Sequence, residues 1–364
     1  MAKLKNFGFK RGSGILLGIS SLPSKYGIGG FGKEAYKFVD FLAECKVKCW
    51  QVLPLNPTSY GDSPYQSPAA SFGNPYFIDP EVLFEKGLLT RAQLRAAEHN
   101  THRVDYGFLF FERYPLLRIA YEKFLSRGGN DCPDYLTFVK KGEKRLSDYA
   151  LFMALKVHYG FRPWTEWDDV HKSVASARRR KGDFAAECGF WTWIQYEFCT
   201  EWRALVDYAH ERGISVEAEV GHIGGQEDNI SAESLNATLE DCRVLYDNTH
   251  IDSLAPALGS VHGFYKGEPN LDFETMDLIN KNLPIPLVLH GGTGIPNDKI
   301  EQAIKCGISK ININTDLQVV WTKAVREFLA TDEKAYDPGK VIGSGELAIK
   351  QRIEEIVTLF KTKM

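Results

Sequence analysis

The chain has 364 residues, 44% of them hydrophobic, with 44 basic against 47 acidic side chains and a net charge of -3. That is enough chain to bury one large core or two ordinary ones. With no block of like charge it offers no electrostatic footprint for nucleic acid or an anionic membrane, so small-molecule substrates are the expectation.

The opening MAKLKNFGFKRGSG has no apolar stretch of signal-peptide length behind it, and GILLGI is too short to span a bilayer, which predicts a cytoplasmic protein. Seven scattered cysteines, an odd number without CxxC spacing, point to buried free thiols rather than to disulfides or a cysteine zinc site. Residues 13–56 hold two short apolar runs, GILLGI and CWQVLPL, around the amphipathic stretch Glu34–Glu44, which predicts strand, helix, strand. From about 80 to 212 the charged and aromatic residues recur at helical spacing, and Gly213 is a helix stop. After Gly213 the apolar runs ISVEAEVG, IDSLAPALGSVHG, PIPLVLHGGTG and KININTD alternate with helical patterns, as parallel strands joined by helices do.

Within the first part, the loop around residues 60–74 suits a sugar. Tyr60 and Tyr65 offer apolar faces, while Asp62, Ser63, Gln66 and Asn74 offer groups that can grip hydroxyls. Gly, Pro, Ser and Asn also simply make turns. GISSLPSKYGIGGFG, QVLPLNPTSYGDSPYQSPAASFGNPYFID, VDYGFLFFERYPLL and IQYEFCTEWRALVDYA resemble the 4-alpha-glucanotransferase (amylomaltase) family as far as about residue 212. The resemblance implies the first strands of a TIM barrel and its helical insertion, with SPYQS lining a glucan groove. Retaining glycosyl transfer needs two carboxyl groups about 5 Å apart across the scissile bond. In the family these sit on later strands, and here the pattern stops near Gly213.

In the second part, His262 and His290 each follow an apolar strand, where barrel enzymes keep their chemistry, and two such imidazoles can share a zinc ion or merely be hydrogen-bonded. Glu217 and Glu219 lie two apart in a strand and face the same way, a costly arrangement unless a cation or a Lys or Arg balances them. Gly263, Gly291 and Gly292 with Lys266 can cradle a phosphate, and Thr293, Asn312, Asn314 and Thr315 add donors, although glycines after strands also form turns. VEAEVGHIGGQEDN, LAPALGSVHGFYKGEPNLDF, LVLHGGTGIP and KININTDLQVVWTKAVREFL resemble the second half of class II fructose- and tagatose-bisphosphate aldolases. That resemblance implies a zinc ion held by His262 and His290 beside Glu219, Glu227 as a proton shuttle on a mobile loop at Gly224-Gly225, and a dihydroxyacetone phosphate pocket. It also implies a third imidazole and a base from an Asp-His pair. No Asp-His dipeptide occurs, and His99, His102 and His158 are substitutes by count alone, so zinc is expected to be held weakly.

The resulting expectation is an α/β chain of TIM-barrel-derived units from two families, residues 1–212 and 213–364. Two strands from the front and four from the back make six, against eight for a closed barrel. Such a chain either closes irregularly or leaves edges for a second copy. An aldolase-like lyase acting on a sugar phosphate ranks first, an alpha-glucan transferase second, and an inactive fusion that keeps sugar or phosphate binding third. The choice between fructose and tagatose bisphosphates stays open.

Overall fold

The structure, a computed structural model, describes residues 13–360 apart from 59–61, 65–66, 70, 100–101, 222–223, 228–229, 233–235, 263–264, 266 and 333; the side chains of 143, 224–227, 230–232, 248 and 262 are also outside the description. The first apolar run yields β1 (Gly14–Leu16) and the second β2 (Cys49–Gln51), with α1 (Lys33–Glu44) between them. Helix α1 buries Ala35, Val39 and Leu42, one stripe at i, i+4 and i+7. Helices then dominate: α2 (Pro80–Glu85), α3 (Arg91–Ala96), α4 (Tyr106–Ser126), α5 (Pro133–His158), α6 (Asp169–Lys172), α7 (Val174–Arg179) and α8 (Ala185–Glu211). Gly213, at φ 68, follows the end of α8 with its N–H on the His210 carbonyl, a conformation that costs glycine little.

The back of the chain alternates. It runs β3 (Ser215–Val220), β4 (Gly224–Glu227), β5 (Ile230–Ala232), α9 (Leu239–Thr249), β6 (Ser253–Pro256), β7 (Val261–His262), α10 (Phe273–Asn282), β8 (Leu287–Leu289), α11 (Asn297–Lys305), β9 (Ile308–Ile311), α12 (Thr315–Thr331) and α13 (Pro338–Leu359). Six parallel strands form one sheet in the order β1-β2-β3-β6-β8-β9, a TIM-barrel-like half-barrel. A second sheet, ordered β5-β4-β7, pairs β4 antiparallel to β5 and parallel to β7.

Two expectations need correcting. The run IDSLAPALGSVHG is not one strand: β6 ends at Pro256, and Val261–His262 turns away into the small sheet. The stretch Gly224–Glu227, expected as a mobile loop, is a strand held on both sides by β5 and β7. Both differences come from long-range pairing that two glycines and a short apolar run do not announce locally.

The front and back of the chain share one core. A single cluster of buried apolar side chains extends from Ile19 to Ile308 and includes Trp50, Trp191, Trp193 and Trp202. The parallel register of β2 with β3 sets Cys49, Trp50 and Gln51 against Ser215, Val216 and Glu217. Helix α8 pins the connection behind β2: Gln195 clasps the backbone of Gly73 with bonds of 2.7 and 2.9 Å, and Glu201 accepts from the Asp79 N–H at 2.9 Å. Across the other face of the join, Arg145 of α5 and Ser71 both donate to Asp241 Oδ1 of α9 at 2.5 Å. Asp241 also accepts from Thr238 in the capping box that starts α9.

Burial alone would raise the Asp241 carboxyl, but the bonds from Ser71, Thr238 and Arg145 hold it down at about 2. A group depressed in the folded state stabilises above its unfolded value and loses that contribution as pH falls through the folded one. Asp241→Asn is therefore expected to cost about 1–3 kcal/mol in urea unfolding at pH 7, with the deficit shrinking between pH 4 and 2. A variant as stable as the parent at pH 7 would remove Asp241 from the join.

Candidate functional site

The alternation of β3 points Glu217 and Glu219 to the interior side of the sheet, and both are buried. Glu217 lies beside Gln51 on one neighbouring strand and Ser253 on the other, and the Ser253 hydroxyl donates to it at 3.1 Å. From the opposite end of the sheet, Lys310 of β9 reaches across the interior to Glu217 Oε1 at 2.7 Å and Gln51 Oε1 at 3.1 Å. The residue after β8, His290, stands between the two carboxylates, with Nδ1 3.1 Å from Glu219 Oε1 and Nε2 3.6 Å from Glu217 Oε1.

This cluster settles its own charges. Burial opposes a charge on His290, but Glu219 and Glu217 overcome it and raise the imidazole to about 9. Burial likewise works to raise Glu217, and the nearby His290 and the Lys310 charge outweigh it, leaving the carboxyl below its ordinary range. Lys310 thus provides the balancing cation that two paired carboxylates call for, and it was not singled out from the sequence. The signal was present: a lysine inside the apolar run ISKINI faces the interior only if the strand is placed in register with β8, where Lys310 lies opposite Val288.

The Glu219–His290 separation of 3.1 Å is one that two ligands of a single tetrahedral ion can adopt, and Glu219 Oε2 is a buried acceptor with no hydrogen-bond partner among the described residues. Those are two donors, and a catalytic zinc takes three protein ligands. Among the described residues no group of three His, Cys, Asp and Glu is arranged to hold a metal. His262 is the remaining expected ligand; its backbone sits in β7 opposite Gly225, and its side chain is outside the description. The same holds for the side chain of Glu227 on β4, while Gly263 and Lys266 are wholly outside the description.

The expected phosphate donors gather at the C-terminal ends of β8 and β9, with most of their groups already engaged. Gly291 has φ 66, and a Cβ there would lie 2.2 Å from the Val261 carbonyl oxygen, so close packing against β7 demands this glycine. The Gly292 N–H is used by the Asn312 carbonyl at 3.0 Å, which corrects its expected role as a free donor. Thr293 Oγ1 accepts from the Asp316 N–H in the first turn of α12, and Asn314 and Thr315 begin that helix. Tyr265, not foreseen from the sequence, bridges the Val261 N–H and the Gly291 carbonyl through its hydroxyl at 3.2 and 3.1 Å.

Of the expected glucan contacts, Tyr60, Tyr65 and Gln66 are outside the described residues. Asp62 is exposed in left-handed backbone at φ 59 and Ser63 is half-buried. Asn74 is buried, and its Oδ1 accepts from the Tyr76 N–H at 3.0 Å as a cap on the following turn. Its expected place on a groove surface is thereby corrected to a turn-forming one.

Residues 17–224 match the family model of 4-alpha-glucanotransferase and residues 199–363 that of class-II fructose-bisphosphate aldolase. The first match covers more than half of the chain, and the chain belongs to the 4-alpha-glucanotransferase family over that stretch. The front is 42% identical to a 4-alpha-glucanotransferase of Clostridium butyricum over 206 residues, 56% of this chain and 42% of that protein. The back is 57% identical to a fructose-bisphosphate aldolase of Geobacillus stearothermophilus over 150 residues, 41% of this chain and 52% of that one. The chain therefore spans about two-fifths of the first relative and about half of the second. The structure resembles amylomaltase from Streptococcus agalactiae in complex with acarbose, with a TM-score of 0.71 and 25% identity over 90% of this chain and 77% of that one.

A histidine raised in the folded state gives its full contribution below its unfolded value of 6.5 and loses it as pH rises through about 9. In metal-free buffer the chain is expected to lose stability on the order of 3 kcal/mol between pH 6.5 and 9.5, and His290→Gln to flatten that slope. An unchanged slope in the variant would show that the imidazole is not charged in the folded chain.

Proposed function

We propose that this chain is a class II aldolase-like lyase of reduced power, acting in the reversible aldol cleavage of a ketose 1,6-bisphosphate to dihydroxyacetone phosphate and glyceraldehyde 3-phosphate. The observation that carries this reading is the convergence of Glu219 and His290, from β3 and β8, on one point at the C-terminal end of the sheet. His262, His290 and Glu219 would hold a zinc ion. When bound, it supplies polarisation of the substrate ketone.

The chain's own residues do the rest. His290 gives up its proton before it can act as a ligand, so metal binding competes with protonation and strengthens as pH rises. Glu227 shuttles the proton of the aldol step. Lys266 and the backbone at Gly263 and Gly291, with Thr293 and Asn312 beside them and Asn314 and Thr315 at the start of α12, bind the phosphate. Without an Asp-His pair no residue is assigned as the base, which withholds general-base assistance worth about 10²–10⁴-fold.

The second reading is an alpha-glucan transferase, favoured by the amylomaltase-like fold over 90% of the chain. The third is an inactive fusion that keeps its ligand sites. We place the join near residue 213, read the six strands as an incomplete barrel, and expect the edge strands β1 and β9 to favour association with a second copy in the cytoplasm.

Elemental analysis with a coupled fructose 1,6-bisphosphate cleavage assay tests the proposal. The expected result is less than one zinc per chain and cleavage about 10²–10⁴-fold slower than an intact class II aldolase, abolished by EDTA and by His290→Ala. Absence of both zinc uptake and cleavage in zinc-supplemented buffer would sink it, and maltotriose disproportionation in the same sample would favour the second reading.

A further inference from the structure

Between the sheet and the helices lies a cavity of about 410 Å³, the size of a small-ligand pocket. Its walls come from both parts of the chain: Asn56, Phe72 and stretches of α5 and α8 on one side, Glu219 of β3 and one face of α9 on the other. Most of the polar groups along it are occupied. Gln195 is spent on Gly73, Ser71 and Arg145 on Asp241, and the Thr249 hydroxyl on the Leu245 carbonyl.

Two are not. Asn56 Oδ1 and Glu219 Oε2 are buried acceptors with no hydrogen-bond partner among the described residues, on side chains that line this cavity. A buried acceptor left unmet costs roughly 1–3 kcal/mol, so a floor with two of them calls for donors. His290 Nδ1 lies 3.1 Å from Glu219 Oε1, so it is Oε2 that is left toward the cavity for a neutral donor such as a hydroxyl. The rim has the opposite character: among the described side chains, Lys140, Lys141 and Lys144 of α5 are exposed there beside one exposed carboxylate, Glu240. Phe72 and Phe198 add apolar surface between floor and rim.

We infer that this cavity binds a sugar phosphomonoester, with its hydroxyls on Asn56 and Glu219 at the floor and its phosphate among the α5 lysines at the rim. The site draws on both parts of the chain, since Asn56 lies only in the stretch that matches the transferase model and the lining face of α9 only in the stretch that matches the aldolase model, with Glu219 in the 199–224 that match both. It does not depend on aldol chemistry or on a bound metal.

Isothermal titration of the full chain in EDTA with glucose 6-phosphate tests this, with glucose, inorganic phosphate and glutamate as separate arms. Glucose 6-phosphate is expected to bind, with each other arm at least about tenfold weaker. Asn56→Leu, which removes an unmet acceptor and should fold at least as well, is expected to weaken binding about tenfold, the loss of one hydrogen bond of about 1.4 kcal/mol. The surface pair Lys141→Glu and Lys144→Glu is expected to weaken glucose 6-phosphate and leave glucose unchanged. No heat up to roughly 10 mM would overturn the inference. So would inorganic phosphate binding as tightly as the sugar phosphate, glutamate binding in its place, or equal affinity in both variants. Because EDTA is present and no cleavage is read, failure here leaves the aldolase reading standing, and the reverse holds too.

Discussion

Lys310 reaches from the last strand of the sheet to Glu217 and Gln51 on the third and second. The sheet is curled enough for an ammonium, a carboxylate and an amide from its two sides to meet, as the twist of parallel strands allows. The carboxylate it serves is buried and also faces His290, so removing the lysine leaves a carboxylate pair sharing one imidazolium. Losing one partner of a buried ionic cluster is far costlier than never having had the cluster. The interior of this half-barrel is thus organised by charge where a closed barrel would be filled by apolar layers.

The network also explains how segments matching two families occupy one folded body. Gln51 lies in the stretch that matches the transferase model alone, His290 and Lys310 in the stretch that matches the aldolase model alone, and Glu217 in the 199–224 that match both. Parallel pairing of β2 with β3 asks only for extended backbone and apolar flanks, which Trp50 and Val216 supply. Specific fit comes from side chains on either face: Arg145 and Ser71 against Asp241 on the helical side, Gln51 with Lys310 and Glu217 inside. The seam cavity lies between these two sets of contacts, where surfaces that match different families meet and leave acceptors unmet.

Much of this was legible in the sequence. The two apolar runs around α1, the helical stretch from 80 to 212 and the four back strands of the main sheet follow from periodicity, and the spacing of Glu217 and Glu219 placed both carboxylates on one face. What local pattern could not carry was partnership across distance. The departure of Val261–His262 into a second sheet, the pairing of Gly224–Glu227, the use of the Gly292 N–H by Asn312 and the burial of Asn74 as a turn cap each depend on a segment remote in sequence. Lys310 is the plainest case, since only strand order reveals that its charge belongs to Glu217.

The most direct measurement is amide hydrogen exchange, read by mass spectrometry across a denaturant series, for the parent and Lys310→Met. If the interior network unites the chain, peptides spanning Cys49–Gln51 and Ile308–Ile311 open with the same free energy, and the substitution lowers both by the same amount. If the Ile308–Ile311 peptide opens at lower energy on its own, and Lys310→Met changes it while leaving Cys49–Gln51 untouched, the two parts fold separately and the account is wrong.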